Sequence, residues 1–219
     1  MRGEQGDRPA NASESAYLAL RDDIMSGLLA GDDRLTEATL ADKLGMSRTP
    51  VREAVKRLII EGFLTRSPGE GLRVTSLLPD EVQQIFQIRL LLESYAASRA
   101  ALYAADADIA RLQHLAEVMT SHTPPRSEDD YTTISEANAE FHRLVMLSAR
   151  SPRLGAMLSL AVNLGLVLRT YRMYSERDMI RQARHHHDIA EAIAAHDPAW
   201  AEAAMAAHVL AAASVARRK

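Results

Sequence analysis

The chain has 219 residues, 47% of them hydrophobic, with 26 Lys/Arg against 29 Asp/Glu for a formal net charge of -3. That length allows one large core or two modest ones, and the acidic balance excludes a protein that coats DNA or membranes without specificity. The lack of cysteine excludes disulfides, thiolate nucleophiles and Cys-based zinc sites.

Aromatic residues make up only 5% and alanine is abundant from Ala96 onward, so a mostly α protein is expected. No uninterrupted apolar run approaches the roughly 20 residues of a membrane span. The opening MRGEQGDRPANASES is too polar for a signal peptide. A cytoplasmic protein with no membrane partner is the expectation.

Residues 1–12 read as a disordered tail. From Ser13, the spacing of Tyr17, Leu20, Ile24 and Leu28 predicts one buried helix face ending near Gly27. A second helix is predicted over Thr36–Leu44, with Thr36 as N-cap and Gly45 as the left-handed stop. A third follows at once, capped by Ser47 or Thr49. Pro50 sits in its first turn, Val51, Val55, Leu58 and Ile59 form its buried stripe, and Gly62 closes it. Residues 63–66 and 72–75 are β-prone segments joined by the turn-rich Ser67-Pro68-Gly69-Glu70-Gly71, which predicts a β-hairpin.

Beyond the linker 77–79, only helices are predicted: 80–104, 107–121, 131–149, 153–175, 178–196 and 198–216. Ser127 to Asp130 read as loop, and Ser151-Pro152 and Asp197-Pro198 as boundaries. The expected architecture is an N-terminal winged helix-turn-helix with a small β-hairpin over 13–76 and a C-terminal all-α helical bundle over 80–219.

Residues 1–78 hold 11 Lys/Arg against 12 Asp/Glu, so placement must reveal any basic surface. Arg48 and Arg52 lie one helical turn apart at the start of the third helix, where both guanidinium forks can meet guanine edges or phosphates. Ser47 and Thr49 can donate to phosphates, and Lys56 and Arg57 extend the patch. In the hairpin, Gly69 at the Pro68-Gly69 tip permits close approach to a groove, flanked by Arg66 and Arg73. Double-stranded DNA is the implied partner.

The run LADKLGMSRTPVREAVKRLIIEGFL, followed by a Gly-containing wing and RVTSL, closely resembles the GntR family of transcriptional regulators. That resemblance covers about Tyr17 to Ser76 and implies DNA contacts from Ser47, Arg48, Thr49, Arg52, Pro68 and Gly69. Ala38 departs from the pattern, since some members place a contacting arginine there. The family also implies repression of operator DNA by a homodimer.

Three histidines fall on three predicted helices of the second half: His142, His186 and His208. Asn138 precedes His142 by four residues and shares its face. Apolar neighbours Ile189, Ile193 and Met205 direct His186 and His208 inward, where imidazoles are costly unless satisfied. A divalent transition metal such as zinc, nickel or manganese satisfies several at once. His185 and His187 are expected to be exposed.

This half resembles the FCD ligand-binding domain of the FadR subfamily through Arg89-Leu90-Leu91-Leu92-Glu93, Phe141-His142, His186-x-x-Ile189 with Ala192-Ile193, and His208-Val209-Leu210. The resemblance implies a metal on one aspartate and three histidines, mapping to Asn138, His142, His186 and His208. It also implies a small organic acid as effector. Asn138 is a departure, because an amide oxygen is a weaker, neutral ligand. Arg89 is the first choice to clamp the acid, with an internal pair to Glu93 as the alternative; Arg169 and Tyr171 are further pocket candidates. Two other readings stay open: a metal-independent carboxylate sensor, and a metallohydrolase, which would lack a HExxH-type pair or a nucleophile with a positioned base. A regulator rather than an enzyme is expected.

Overall fold

A computed structural model describes residues 9–26, 28–29, 35–67, 71–76, 78–161 and 173–217. They form two compact units, divided between Ser76 and Leu78.

In the first unit, α1 (Pro9–Ser26) packs on α3 (Arg48–Ile60). The first helix begins four residues before the predicted Ser13, so the part of the expected tail from Pro9 onward is helical, and residues 1–8 lie outside the described residues. Tyr17, Leu20 and Ile24 are buried as the spacing requires. Leu28 is not: it is 70% exposed, and Leu29 is buried in its place. The helix stops at Ser26, so its 3.6-residue register no longer governs position 28.

The short α2 (Glu37–Leu44) carries a capping box, with Thr36 Oγ1 accepting from the Thr39 amide at 3.0 Å and Thr39 Oγ1 from the Thr36 amide at 3.1 Å. Gly45 ends it at φ 63°, where its N–H reaches the Ala41 and Asp42 carbonyls. In α3 the buried stripe is Val51, Ala54, Val55 and Leu58. Ile59, expected in it, is only half-buried, because the 51–54–55–58 spacing already fills the face toward α1.

The hairpin pairs β1 (Leu64–Ser67) with β2 (Gly71–Val74) antiparallel, Leu64 opposite Val74. Leu35 adds a bridge to Leu72 through a 2.9 Å amide hydrogen bond. The wing tip, with Pro68 and Gly69, lies outside the described residues.

The second unit contains α4 (Pro79–Tyr103), α5 (Asp106–Ser121), α6 (Glu128–Ser148), α7 (Pro152–Ala161), α8 (Glu176–Ala194) and α9 (Pro198–Ala216). The last of these packs on α4 and α8. Ala96, Ala97, Ala100 and Ala101 on α4 and Ala201, Ala212 and Ala213 on α9 are all buried, small enough to let backbones approach closely. By length and composition α9 could cross a membrane, yet its buried face holds His208 and packs inside this bundle.

Helix α6 starts a turn before the predicted 131. Ser127, read as loop, is its N-cap, with Oγ accepting from the Asp130 amide and Asp130 Oδ2 accepting from the Ser127 and Arg126 amides. Acidic residues read as loop-forming are here serving the positive end of a helix. Ser127→Ala is expected to cost about 1 kcal/mol, read as a lower midpoint in thermal unfolding. The same box, Ser175 with Asp178, starts α8 two residues before its predicted 178. Of the helix predicted over 153–175, residues 153–161 belong to α7, residues 162–172 lie outside the described residues, and residues 173–175 are not helical, because Ser175 is the extended N-cap of α8.

Candidate nucleic-acid interface and metal centre

Ser47, Arg48, Thr49, Arg52 and Lys56 are all exposed on α3, the first four within its N-cap and opening turns. The Ser47 hydroxyl makes no capping bond, which leaves it available to an outside acceptor. Arg52 and Arg66 converge on one carboxylate, Glu37: Arg52 Nε donates to Oε2 at 3.2 Å and Arg66 Nη2 to Oε1 at 2.7 Å. The Arg66 hydrogen bond, then that from Arg52, holds the Glu37 carboxyl below its ordinary range against the opposing effect of burial. Lys56 pairs with Glu53 at 2.8 Å.

Arg57 does not extend this surface as expected. Its guanidinium lies 3.6 Å from the Tyr17 ring centroid and pairs with Glu14 at 2.7 Å and Glu61 at 2.9 Å, tying α3 to α1. Its position on the side of α3 that faces α1 decides this. Arg73 is half-buried, with a buried Nε that meets no acceptor among the described residues.

In the second unit, α6, α8 and α9 bring His142, His186 and His208 together, with one donor nitrogen of each within 4.8 Å of the others. His186 and His208 are 0% and 3% exposed. Burial, with the neighbouring imidazoles, pushes both well below the ordinary histidine range, so both rings are neutral at physiological pH.

A neutral imidazole has one N–H and one lone pair. His186 Nδ1 lies 2.8 Å from the Gln182 carbonyl oxygen and Nε2 lies 3.1 Å from Asn138 Oδ1. The carbonyl can only accept, so the proton belongs on Nδ1, and the Nε2 lone pair then faces the Asn138 amide. With Oδ1 in that position two lone pairs converge, the arrangement a cation satisfies. His142 Nε2 and His208 Nδ1 are buried with no hydrogen-bond partner among the described residues. The residues present therefore fit a metal.

His142 is held from behind. Its Nδ1 lies 2.7 Å from Glu93 Oε2, and Glu93 Oε1 accepts from Arg89 Nε at 2.6 Å. Both Arg89 and Glu93 side chains are buried. Burial alone would push the Glu93 carboxyl up, but Arg89 and His142 together bring it to about 2. Of the two readings of Arg89, the internal pair with Glu93 is thus formed at Nε. Arg169 and Tyr171 lie outside the described residues.

Three residues at this centre escaped sequence reasoning. Glu93 was weighed only as a partner for Arg89. Gln182 is buried, orienting His186 through its carbonyl while its Nε2 donates to Tyr174 at 3.3 Å and to the His208 carbonyl at 3.5 Å. Its position four residues before His186 was the available signal. Tyr174, whose phenol burial holds protonated, is the third. His185 is half-buried, its ring 6.2 Å from His208, and His187 is half-buried, meeting Thr120 Oγ1 at 3.0 Å; neither is fully exposed as expected.

The family model of the FCD domain matches residues 84–211, and that of the bacterial regulatory proteins of the gntR family matches residues 12–74. The chain belongs to the GntR family of transcriptional regulators. This GntR regulator is 29% identical over 146 residues to an uncharacterized HTH-type transcriptional regulator in the TAR-I ttuE-ttuC' intergenic region of Agrobacterium vitis, covering 66% of this chain and 85% of that one. It is 28% identical over 163 residues to the gluconate operon transcriptional repressor of Bacillus licheniformis, covering 74% and 64%. Among solved structures, McbR/YncC of E. coli superposes with a TM-score of 0.69 at 25% identity, covering 91% of this chain and 93% of that one. The family regulates transcription and is not one of enzymes, so the hydrolase reading of the histidines falls.

Proposed function

We propose that this GntR regulator is a cytoplasmic homodimeric repressor that releases operator DNA when a small carboxylate reaches its histidine centre. Operator contacts would come from Ser47, Arg48, Thr49, Arg52, Lys56 and Arg66, with Pro68 and Gly69 at the wing tip. Asn138, His142, His186 and His208 would hold zinc, nickel or manganese. The observation that carries the effector site is His186, a neutral buried ring between a carbonyl that accepts its one proton and the Asn138 amide. A bound metal would offer open positions that a carboxylate completes. The chain's own residues prepare for it: Gln182 fixes the tautomer of His186, Glu93 does the same for His142, and Arg89 holds Glu93 in place.

Repression is supported by the relative named as a gluconate operon repressor, and gluconate therefore belongs among the first acids tried. A second copy is supported by Ile88, Leu91, Tyr95 and Leu102, exposed apolar residues on one face of α4. Acid binding would release DNA only to the extent that it favours the dimer geometry that does not fit the operator.

The DNA half is tested on sites selected from random duplexes by the wild-type chain. Arg52→Ala is expected to cost about 1–3 kcal/mol of binding to the selected site at fixed salt; unchanged affinity would remove α3 from the groove. Asn138, a neutral ligand where the family has aspartate, favours a second reading in which the pocket senses the acid without metal, through Arg89 and hydrogen bonds. Metal content of untagged protein separates the two.

A further inference from the structure

Glu37 stands at the first position of α2, yet its carboxylate joins three elements of the first unit: its own helix, α3 through Arg52 and β1 through Arg66. The Glu37 side chain is 23% exposed, whereas those of the two arginines are 56% and 54% exposed. The anchor is sheltered and the cations face outward. A guanidinium has five N–H donors in a fixed fork. When Nε is taken by a carboxylate, the two terminal nitrogens remain at the far end, and that pair matches O6 and N7 of guanine.

Arginine has an easier alternative near DNA. Half or more of protein–DNA hydrogen bonds go to phosphate and sugar, and these carry no sequence information. Arg48 makes no ion pair with a described residue, so nothing described diverts it from phosphate. Arg52 differs, because swinging it to a phosphate would cost its hydrogen bond to Glu37 Oε2 and leave that oxygen, with Arg66 still on Oε1, without a partner cation beside the DNA backbone.

We propose that Glu37 determines sequence specificity: by holding Arg52 at Nε and Arg66 at Nη2, it turns the free end of Arg52 toward a guanine edge and keeps both arginines from the phosphates. This rests on α3 entering the major groove as proposed above. Glu37 is a positioning residue, acting through Arg52.

The test selects binding sites from random double-stranded DNA with full-length wild type, Arg52→Ala, Glu37→Ala and Asp42→Ala. Asp42 is an exposed residue of α2, and its replacement removes the same charge without touching Arg52. Asp42→Ala is expected to return the wild-type motif. Arg52→Ala is expected to lose preference at one base pair, and Glu37→Ala to lose it at that same base pair, with discrimination there falling about tenfold or more. Affinity of Glu37→Ala for scrambled DNA should hold or rise, with a steeper salt dependence, because two released arginines can reach phosphates.

A Glu37→Ala protein that keeps the preference at the Arg52 position overturns the proposal. So does one that weakens selected and scrambled DNA equally while unfolding at the wild-type temperature. Glu37→Gln, which keeps an oxygen acceptor but not the charge, replaces the alanine variant if that one fails to fold. If Arg52→Ala itself leaves the motif intact, the groove placement of α3 falls first, a result distinct from a failure at Glu37 alone.

Discussion

Replacing Glu93 by alanine is expected to destabilise the C-terminal unit by about 3–5 kcal/mol, because it strands the Arg89 guanidinium, itself only 4% exposed, without its carboxylate. Urea unfolding of wild type and variant reads this directly. The Arg89→Met/Glu93→Leu double variant should recover part of the loss, since two apolar side chains of similar size replace a pair whose desolvation opposed its attraction, while His142 Nδ1 still lacks its acceptor. A loss under about 1 kcal/mol for Glu93→Ala would mean that water reaches Arg89. Glu93→Gln separates the second role of this residue from the first. It keeps an acceptor for Arg89 but approaches His142 Nδ1 without charge, so metal affinity measured by chelator competition should fall about 10- to 100-fold with a smaller change in stability.

The two-unit architecture was legible because its punctuation is local. Thr36, Gly45, Gly62, Pro152 and Pro198 mark element boundaries through backbone chemistry that neighbours cannot override. The three histidines were legible for a similar reason: each sits in a strongly patterned helix, so its face was fixed before any contact was known. What failed was contextual. Ser127 through Asp130 look equally like a loop and a capped helix start, and only the reciprocal Ser127–Asp130 hydrogen bonds distinguish them. Leu28 followed the periodicity of a helix that had already ended. Arg57 and Arg52 are five residues apart on α3 with the same chemistry, but α1 claims one and α2 the other, and spacing along one helix says nothing of which neighbour waits on each side. Glu93 was visible as an i, i+4 partner of Arg89. Its contact with His142 joins α4 to α6 and exists only in the packed bundle.

Zinc, nickel or manganese at about 100 times its Kd is expected to stabilise the wild-type chain by roughly 3 kcal/mol, a shift that His186→Ala should abolish. The comparison must be made within each variant, with and without metal. His186 is fully buried, its ring centroid 4.9 Å from that of Phe141, so its loss opens a cavity and lowers stability before any metal is considered. That loss is common to both arms and cancels in their difference. His142→Ala and His208→Ala should also lower metal content measured by mass spectrometry, because each removes a donor from the same cluster. Asn138→Asp moves the other way. It gives the Nε2 side of His186 a charged oxygen in place of a neutral one, so metal should bind more tightly and the stabilisation at fixed metal concentration should grow. An Asn138→Asp chain that binds all three metals no better than wild type, when wild type itself shows no stabilisation, would overturn the metal reading. The acid would then be held by Arg89 and by the N–H of His208, since the one N–H of His186 faces the Gln182 carbonyl and that of His142 faces Glu93, and His208→Ala would weaken acid binding without any metal in the sample.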